Sequence, residues 1–276
     1  MYKKLPERIL SQVKVFGERN TGTNFLNKLL SVNTNLQVLS SGNNSLPRAK
    51  LQVIDQSAVS LGHTTDQLSS QVRQFLLERF IDEQRRLEYP DNYGWKHARV
   101  VLSDLEMSPY KNSTLFIFLI RNPWRFVSAL YRRPYNLFPI SYSNLSSFVD
   151  SPFLANERDR MPNLLINNPV ELWNEKVKSY LYCSDILENS IVCYYENLVT
   201  SLDEFVDAIR PVCSISSNIR IPINSTKKDD KTFNDYRQEV LAYDPVSELG
   251  EEVYLKILKK IDLSILAQTI YSASSV

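Results

Sequence analysis

The chain of 276 residues is poor in the side chains that build cross-links and metal sites. Its three cysteines, Cys183, Cys193 and Cys213, form no Cys-x-x-Cys pair, which excludes a disulfide framework and a zinc ribbon. The two histidines, His63 and His97, are too few for a histidine-built metal site, so we expect no metal. This cysteine usage suits a reducing compartment, and we expect a cytoplasmic protein.

Long apolar runs are also missing from the sequence. The longest run, Leu115–Ile120, is far shorter than the roughly 20 residues that span a bilayer, so we expect no transmembrane segment. Residues 1–15 contain no apolar stretch typical of a secretory signal. Hydrophobic residues make up 43% of the chain and charged residues 23%, which is ordinary globular usage. We expect a single domain over residues 1–276.

The charges of the chain nearly cancel, but their distribution is uneven. The formal net charge of +1 excludes a nucleic-acid polycation, and we expect no nucleic-acid partner. Residues 107–149 nevertheless carry five Lys or Arg residues and no Asp or Glu. Positive charge concentrated in one region favours a small anionic ligand over a long nucleic-acid track.

Strand-like and helix-like segments alternate along the chain. Short apolar runs predict strands at residues 13–16, Thr114–Ile120 and 191–195. The predicted helices cover residues 24–32, 66–89, 123 onward, 168–187, 201–210, 233–241 and 248–261. Asn168, followed by Pro169, and Ser201 are the expected N-caps of their helices. Residues 95–102 are predicted to be extended and residues 40–45 to form a loop. Strands separated by helices indicate an α/β fold, a three-layer sandwich with a central parallel sheet.

The sharpest local signal is the turn between the first strand and its helix. Two of the six glycines in the chain, Gly17 and Gly22, lie five residues apart there. Glycines at such a turn let main-chain amides and a helix N-terminus surround an anion. A nucleotide triphosphatase loop continues with Lys and then Ser or Thr, where this chain has Thr23 and Asn24. The turn therefore fits a terminal phosphate bound without a metal.

Several segments resemble one enzyme family. The pattern Gly-x-x-x-Thr-Gly-Thr at residues 17–23 resembles the 5′-phosphosulfate loop of sulfotransferases that use PAPS (3′-phosphoadenosine 5′-phosphosulfate). Residues 121–123, Arg-Asn-Pro after a strand, and the aromatic-rich helix that follows resemble the 3′-phosphate site of that family. Residues 95–97 (Trp-Lys-His) and 192–198 resemble two further family segments. The resemblance implies the P-loop NTPase-like sulfotransferase fold and PAPS as the sulfuryl donor.

The resemblance also implies a set of binding residues. The 5′-phosphate loop would comprise Gly17, Arg19, Asn20, Thr21, Gly22, Thr23 and Asn24. Arg121 would bind the 3′-phosphate through the paired donors of its guanidinium. The family has a serine eight residues after that arginine; here this position holds Ala129, and Ser128 comes one residue earlier. Ser128 is therefore a candidate for the same contact, on a helix face rotated by about 100°.

For the chemistry, the resemblance implies in-line transfer of a sulfuryl group to a hydroxyl or amine with His97 as the general base. The family carries a basic residue directly before the small residue of the loop, where this chain has Asn20. The catalytic cation is then Arg19 or Lys96. The acceptor stays open, with a glycan as one candidate. Two alternatives also stay open: a kinase-like or NTPase-like nucleotide-binding P-loop protein, and an inactive module that binds PAPS or its product.

Overall fold

The computed structural model describes residues 2–39, 56, 76–83, 86–87, 92–134, 138–139, 142–222 and 231–272. The loop predicted at residues 40–45 lies outside these ranges. So does most of the helix predicted at residues 66–89, whose described residues 76–83 and 86–87 are helical.

Four parallel strands form a central sheet in the order β2-β1-β3-β7. The strands are β1 (Gln12–Gly17), β2 (Gln37–Val38), β3 (Thr114–Ile120) and β7 (Ser190–Tyr194). A second, antiparallel sheet contains β4 (Phe138–Pro139), β5 (Phe153–Leu154) and β6 (Leu165–Ile166). In the central sheet Gly17 lies opposite Leu119, so the carboxyl ends of β1 and β3 open at the same edge.

Side chains of the central strands point alternately into two hydrophobic cores. Val15 and Ile117 pack with the leucines of the first helix on one face of the sheet. Phe16 and Phe118 face the other way, into the core that contains Trp124. Alternate residues of a strand point to opposite faces, and a central parallel strand is covered on both of them. The predicted α/β architecture with a central parallel sheet between helical layers is confirmed.

The helices have the following bounds: α1 (Thr23–Asn33), α2 (Leu102–Glu106), α3 (Pro123–Arg132), α4 (Leu145–Asp150), α5 (Pro169–Ile186), α6 (Tyr195–Thr200), α7 (Leu202–Ile209), α8 (Phe233–Leu241), α9 (Pro245–Leu249), α10 (Glu251–Lys260) and α11 (Leu263–Leu266). Asn168 caps α5 by accepting hydrogen bonds from the Val170 and Glu171 amides, at 3.1 and 3.0 Å. None of the helices in the described ranges has both the length and the hydropathy of a bilayer-spanning helix.

Two predicted helices differ in detail from the observed ones. The helix expected over residues 248–261 is divided into α9 and α10 at Gly250, where the backbone has a φ of 80°. The expected serine cap of α7 is absent, because the side chain of Ser201 makes no capping hydrogen bond. A sequence pattern shows helical periodicity better than it shows the backbone angles at a helix end.

The prediction that residues 95–102 are extended is wrong. Tyr93 and Gly94 both have positive φ, 61° and 70°, which turns the chain before a strand can begin. The segment is instead tied to β1: Lys14, fully buried, donates to the Gly94 carbonyl at 2.6 Å, and the Gly17 amide donates to the Lys96 carbonyl at 2.9 Å. Lys96 and His97 consequently lie in a turn beside the end of β1.

Candidate active site

The loop after β1 has the backbone shape of an anion cradle. Asn20 and Gly22 both adopt positive φ, 64° and 93°. Gly22 is the N-cap residue of α1, and no side-chain hydrogen bond caps this helix. By contrast, α3 is capped by the Asn122 side chain. The amides of the first turn of α1 are therefore left for a ligand, at the end of a helix that favours negative charge.

Hydrogen bonds within the loop hold it closed. The Thr21 hydroxyl donates to the Glu18 carbonyl at 2.5 Å, and the Thr21 amide donates to the same oxygen at 3.2 Å. The hydroxyl hydrogen of Thr21 is thus used inside the loop. Thr23 is buried, whereas Asn24 is exposed on the first turn of α1.

Neighbouring chain segments press close to both glycines. A Cβ atom at Gly17 would lie 2.8 Å from the main-chain oxygen of Leu119 on the adjacent strand. A Cβ atom at Gly22 would lie 2.9 Å from ring carbons of Tyr195. Real Cβ atoms do not come this close to such atoms, so both positions require glycine for space, and Gly22 also for its backbone angle.

Arg121 lies against this loop. It follows β3, and its Nη1 donates to the main-chain oxygen of Asn20 at 2.5 Å. Its guanidinium lies 4.8 Å from the centre of the Tyr195 ring, and its Nε is buried without a hydrogen-bond partner among the described residues. The Trp173 indole donates to the Arg121 carbonyl at 2.9 Å. Loop and arginine, 101 residues apart in sequence, are brought together by the parallel pairing of β1 and β3.

His97 also contacts the loop. Its Nδ1 lies 2.6 Å from the main-chain oxygen of Gly17. A carbonyl oxygen only accepts, so Nδ1 carries the hydrogen and Nε2 keeps a lone pair. Burial, and then the charges of Lys96 and Arg19, lower the pKa of His97 well below its usual value. The imidazole is therefore neutral at pH 7, with Nε2 able to accept a proton.

Lys96 approaches the loop from the same turn. Its ammonium donates to the side-chain oxygen of Asn24, on the first turn of α1. Had this segment been a strand, neighbouring side chains would point to opposite faces. Because residues 96–97 form a turn, the Lys96 side chain reaches the first turn of α1 while the His97 ring reaches the end of β1.

Arg19 faces a different direction from the one the sequence suggests. Its guanidinium makes a paired contact to Asp159, at 2.8 and 2.9 Å, and a further bond to Glu18 at 2.8 Å. Only 3% of the residue is exposed. Two carboxylates hold this guanidinium inside the protein, and a role for it at a phosphate in the loop stays a prediction. Of the two candidate cations, Lys96 has the accessible position.

Arg19 belongs to a buried cluster of four charged residues, and sequence reasoning missed the other three. They are Glu18, Asp159 and Lys176, which join Arg19 through short ion pairs. Burial alone would raise the pKa of Asp159, but the charges of Arg19 and Lys176 outweigh it and hold that pKa well below the usual range. Because Asp159 and Lys176 lie far from the loop in sequence, no spacing or motif reveals the contact.

Arg125 and Ser128 lie on one face of α3, three residues apart. The Arg125 guanidinium lies 4.2 Å from the centre of the Tyr243 ring and donates to the Glu239 carbonyl at 2.6 Å. Burial and the nearby charge of Arg121 lower its pKa. Arg125 is one of the five basic residues that the sequence concentrates between residues 107 and 149. Ser128 is buried beside it.

Comparison with solved structures finds a similarity to a sulfotransferase domain from the curacin biosynthetic pathway. The TM-score is 0.35 at 13% sequence identity, over 91% of this chain and 98% of that domain. No protein-family model and no curated protein sequence matches the chain. The functional assignment therefore depends on the chemistry of the chain's own residues.

Proposed function

We propose that the protein is a PAPS-dependent sulfotransferase that transfers a sulfuryl group to a hydroxyl or amine acceptor. One observation carries the proposal. The uncapped N-terminus of α1, a partly buried arginine and a neutral histidine with one fixed tautomer all meet at the loop after β1. An anion cradle, a second cationic site and a base are the three parts that metal-free transfer from a phosphosulfate requires.

The residues present fit a nucleotide with two separate phosphate groups. The amides of Asn20, Gly22 and Thr23 and the first turn of α1 would bind the 5′-phosphate, because the Arg19 and Thr21 amides already donate to Glu18. Arg121, whose buried Nε has no hydrogen-bond partner among the described residues, would bind the 3′-phosphate with Ser128. Arg125 adds positive charge on the same face of α3. Asn24 and Thr23 leave the loop without the lysine and hydroxyl that a Mg²⁺-dependent triphosphatase needs.

The chemistry then divides between the donor and the protein. When bound, PAPS supplies the activated sulfuryl group. His97 accepts the acceptor's proton at Nε2, while Nδ1–H keeps the ring oriented through Gly17. Lys96 places positive charge beside the first turn of α1, where the leaving phosphate would gain charge. We propose a cytoplasmic location, since all three cysteines are unpaired thiols.

Calorimetric titration of the purified protein with 3′-phosphoadenosine 5′-phosphate, the product nucleotide, tests the binding half of the proposal. Binding is expected in EDTA as well as in Mg²⁺. Absence of heat under both conditions would overturn the assignment. Transfer is tested by incubating the protein with radiolabelled PAPS and a panel of glycans, phenols and alcohols, and then with a lysate. The molecules that become labelled identify the acceptor class.

A second candidate is a module that binds the nucleotide without catalysing transfer. The engagement of Arg19 by Asp159 and Glu18 favours it, because the loop's own basic side chain is withdrawn from the cradle. This candidate predicts nucleotide binding with no labelled product in any acceptor pool. Labelled product that disappears in the His97→Asn variant would reject it.

A further inference from the structure

Lys176 links three parts of the candidate site from the middle of α5. Its ammonium donates to the Asp159 carboxylate at 2.6 Å, to the main-chain oxygen of His97 at 2.6 Å, and to Glu18. An ammonium has three hydrogens, and each of these contacts uses one. The residue is 1% exposed, so its donors are shielded from water.

The buried cluster around Lys176 is balanced in charge. Glu18 and Asp159 are two anions, and Arg19 and Lys176 are two cations, all at most 5% exposed. Burying charges is costly unless they are paired and bonded to other groups, and this cluster meets both conditions. A lysine needed for charge balance alone would not also have to bond the main chain of His97.

The bonds around His97 show what that extra contact does. The turn at residues 96–97 is attached to β1 by the Gly17 amide, which donates to the Lys96 carbonyl. The ring of His97 is attached to β1 by its bond to the Gly17 carbonyl. Lys176 attaches the main chain of His97 to a second element, because it comes from α5 rather than from the sheet. The histidine is held between two layers of the fold.

We propose that Lys176 is a positioning residue that sets the orientation of the His97 ring, a role that rests on the proposed function of His97 as the base. Without the ammonium, the main-chain oxygen of His97 loses its donor, and the nearest remaining bond to α5 is the one that the Tyr180 hydroxyl donates to the Ala98 carbonyl. The ring then leaves the Gly17 carbonyl and loses its single tautomer. Nε2 no longer points where an acceptor proton is delivered.

The variant must remove this contact without leaving a buried charge unpaired. The double substitution Lys176→Met with Glu18→Gln does so, because Arg19 and Asp159 stay as a balanced pair and the introduced amide side chain still offers an oxygen to the Arg19 main-chain N–H. Lys178→Met is the matched control, since Lys178 is exposed on the same helix.

NMR spectra of protein labelled with nitrogen-15 in histidine report the tautomer of the His97 ring. The chain has only two histidines, so a His63→Gln variant assigns the signals. In the wild-type protein and in Lys178→Met, we expect His97 to show hydrogen on Nδ1 alone. In the double variant we expect averaged ring signals from both tautomers. An unchanged His97 spectrum in a folded double variant would overturn the proposal, even if unfolding occurs at lower temperature.

Turnover gives the second readout. Misplacement of a reacting group by about 1 Å costs on the order of 10²-fold in rate, so kcat should fall by about that factor while the affinity for the product nucleotide stays within about threefold. Unchanged kcat in the double variant would also overturn the role of Lys176. If the wild-type protein transfers no sulfuryl group, the proposed function fails, and the histidine spectrum still decides whether Lys176 orients the ring.

Discussion

The imidazole of His97 and the main-chain carbonyl of Gly17 are joined by a hydrogen bond of 2.6 Å across 80 residues of sequence. The contact attaches the candidate base to the end of β1, where the candidate phosphate loop begins. The same bond determines which ring nitrogen carries the hydrogen. The position of the base and its tautomer therefore have one structural cause.

Replacing His97 with Asn separates these two properties. The Asn amide nitrogen stands where Nδ1 is, so it can donate to Gly17, but the variant has no equivalent of Nε2. Loss of a general base lowers turnover by about 10²–10⁴-fold, whereas affinity for the product nucleotide should change little. Steady-state kinetics with PAPS and calorimetry measure the two quantities. Full turnover in His97→Asn would exclude this residue as the base.

The pKa of His97 predicts how stability depends on pH. An unfolded histidine titrates near pH 6.5, while burial and the charges of Lys96 and Arg19 lower the folded pKa well below that value. Between the two pKa values the unfolded chain binds a proton that the folded chain does not. This contribution to stability is therefore complete above pH 6.5 and is lost as the pH falls toward the folded pKa, by at most about 1.4 kcal/mol per pH unit.

Urea unfolding at several values from about pH 5 to pH 7.5 tests this dependence. The free energy of unfolding of the wild-type protein should fall as the pH is lowered through this range. The His97→Asn protein should show a shallower fall, because the titrating ring is gone. Parallel curves for the two proteins would contradict the lowered pKa.

Arg121→Ala should weaken binding of 3′-phosphoadenosine 5′-phosphate by about 2–5 kcal/mol, since the ligand phosphate would be left without its paired donor. Arg132→Ala is the control: this arginine lies at the far end of α3, the helix that follows Arg121, and its side chain is 61% exposed. Calorimetry in EDTA compares the three proteins. If the three proteins bind the nucleotide with equal affinity, Arg121 is not a ligand of the 3′-phosphate and the proposed 3′-phosphate site is rejected.

Gly22→Ala should destabilise the protein and weaken nucleotide binding. A φ of 93° is strained for alanine, at a cost of order 1–3 kcal/mol, and the new methyl group would press on the Tyr195 ring. Gly250→Ala is the control that separates the cost of the backbone angle from the clash with a neighbouring side chain. Its φ is 80°, and a Cβ there would meet no described atom within 4 Å, so it bears the backbone cost alone. If Gly22→Ala binds the nucleotide as well as Gly250→Ala does, the close approach of Tyr195 has no role in shaping the loop.

The sequence predicts the elements whose signals are local. The apolar run Thr114–Ile120 is the observed β3, and the Asn168 cap of α5 is predicted together with the proline that follows it. The loop and Arg121 are predicted from separate motifs, and parallel pairing of β1 with β3 accounts for their contact. In each case the residues that determine the outcome are neighbours in the chain or on adjacent strands.

The sequence does not predict features set by distant partners. Arg19 lies two residues after Gly17 and resembles a phosphate ligand, but Asp159, 140 residues later, binds its guanidinium. The composition of residues 95–102 suggests an extended segment, while positive φ at Tyr93 and Gly94 turns the chain. Both outcomes follow from tertiary packing, which local composition does not encode.

The main chain at Arg121 is anchored on both sides. The Trp173 indole from α5 holds its carbonyl, and the next amide, that of Asn122, donates to the Glu196 carboxylate of α6 at 3.3 Å. The guanidinium therefore extends from a fixed base and already rests on the loop. A nucleotide that docks here meets a receptor assembled in advance, so little of its binding energy is spent on ordering the protein.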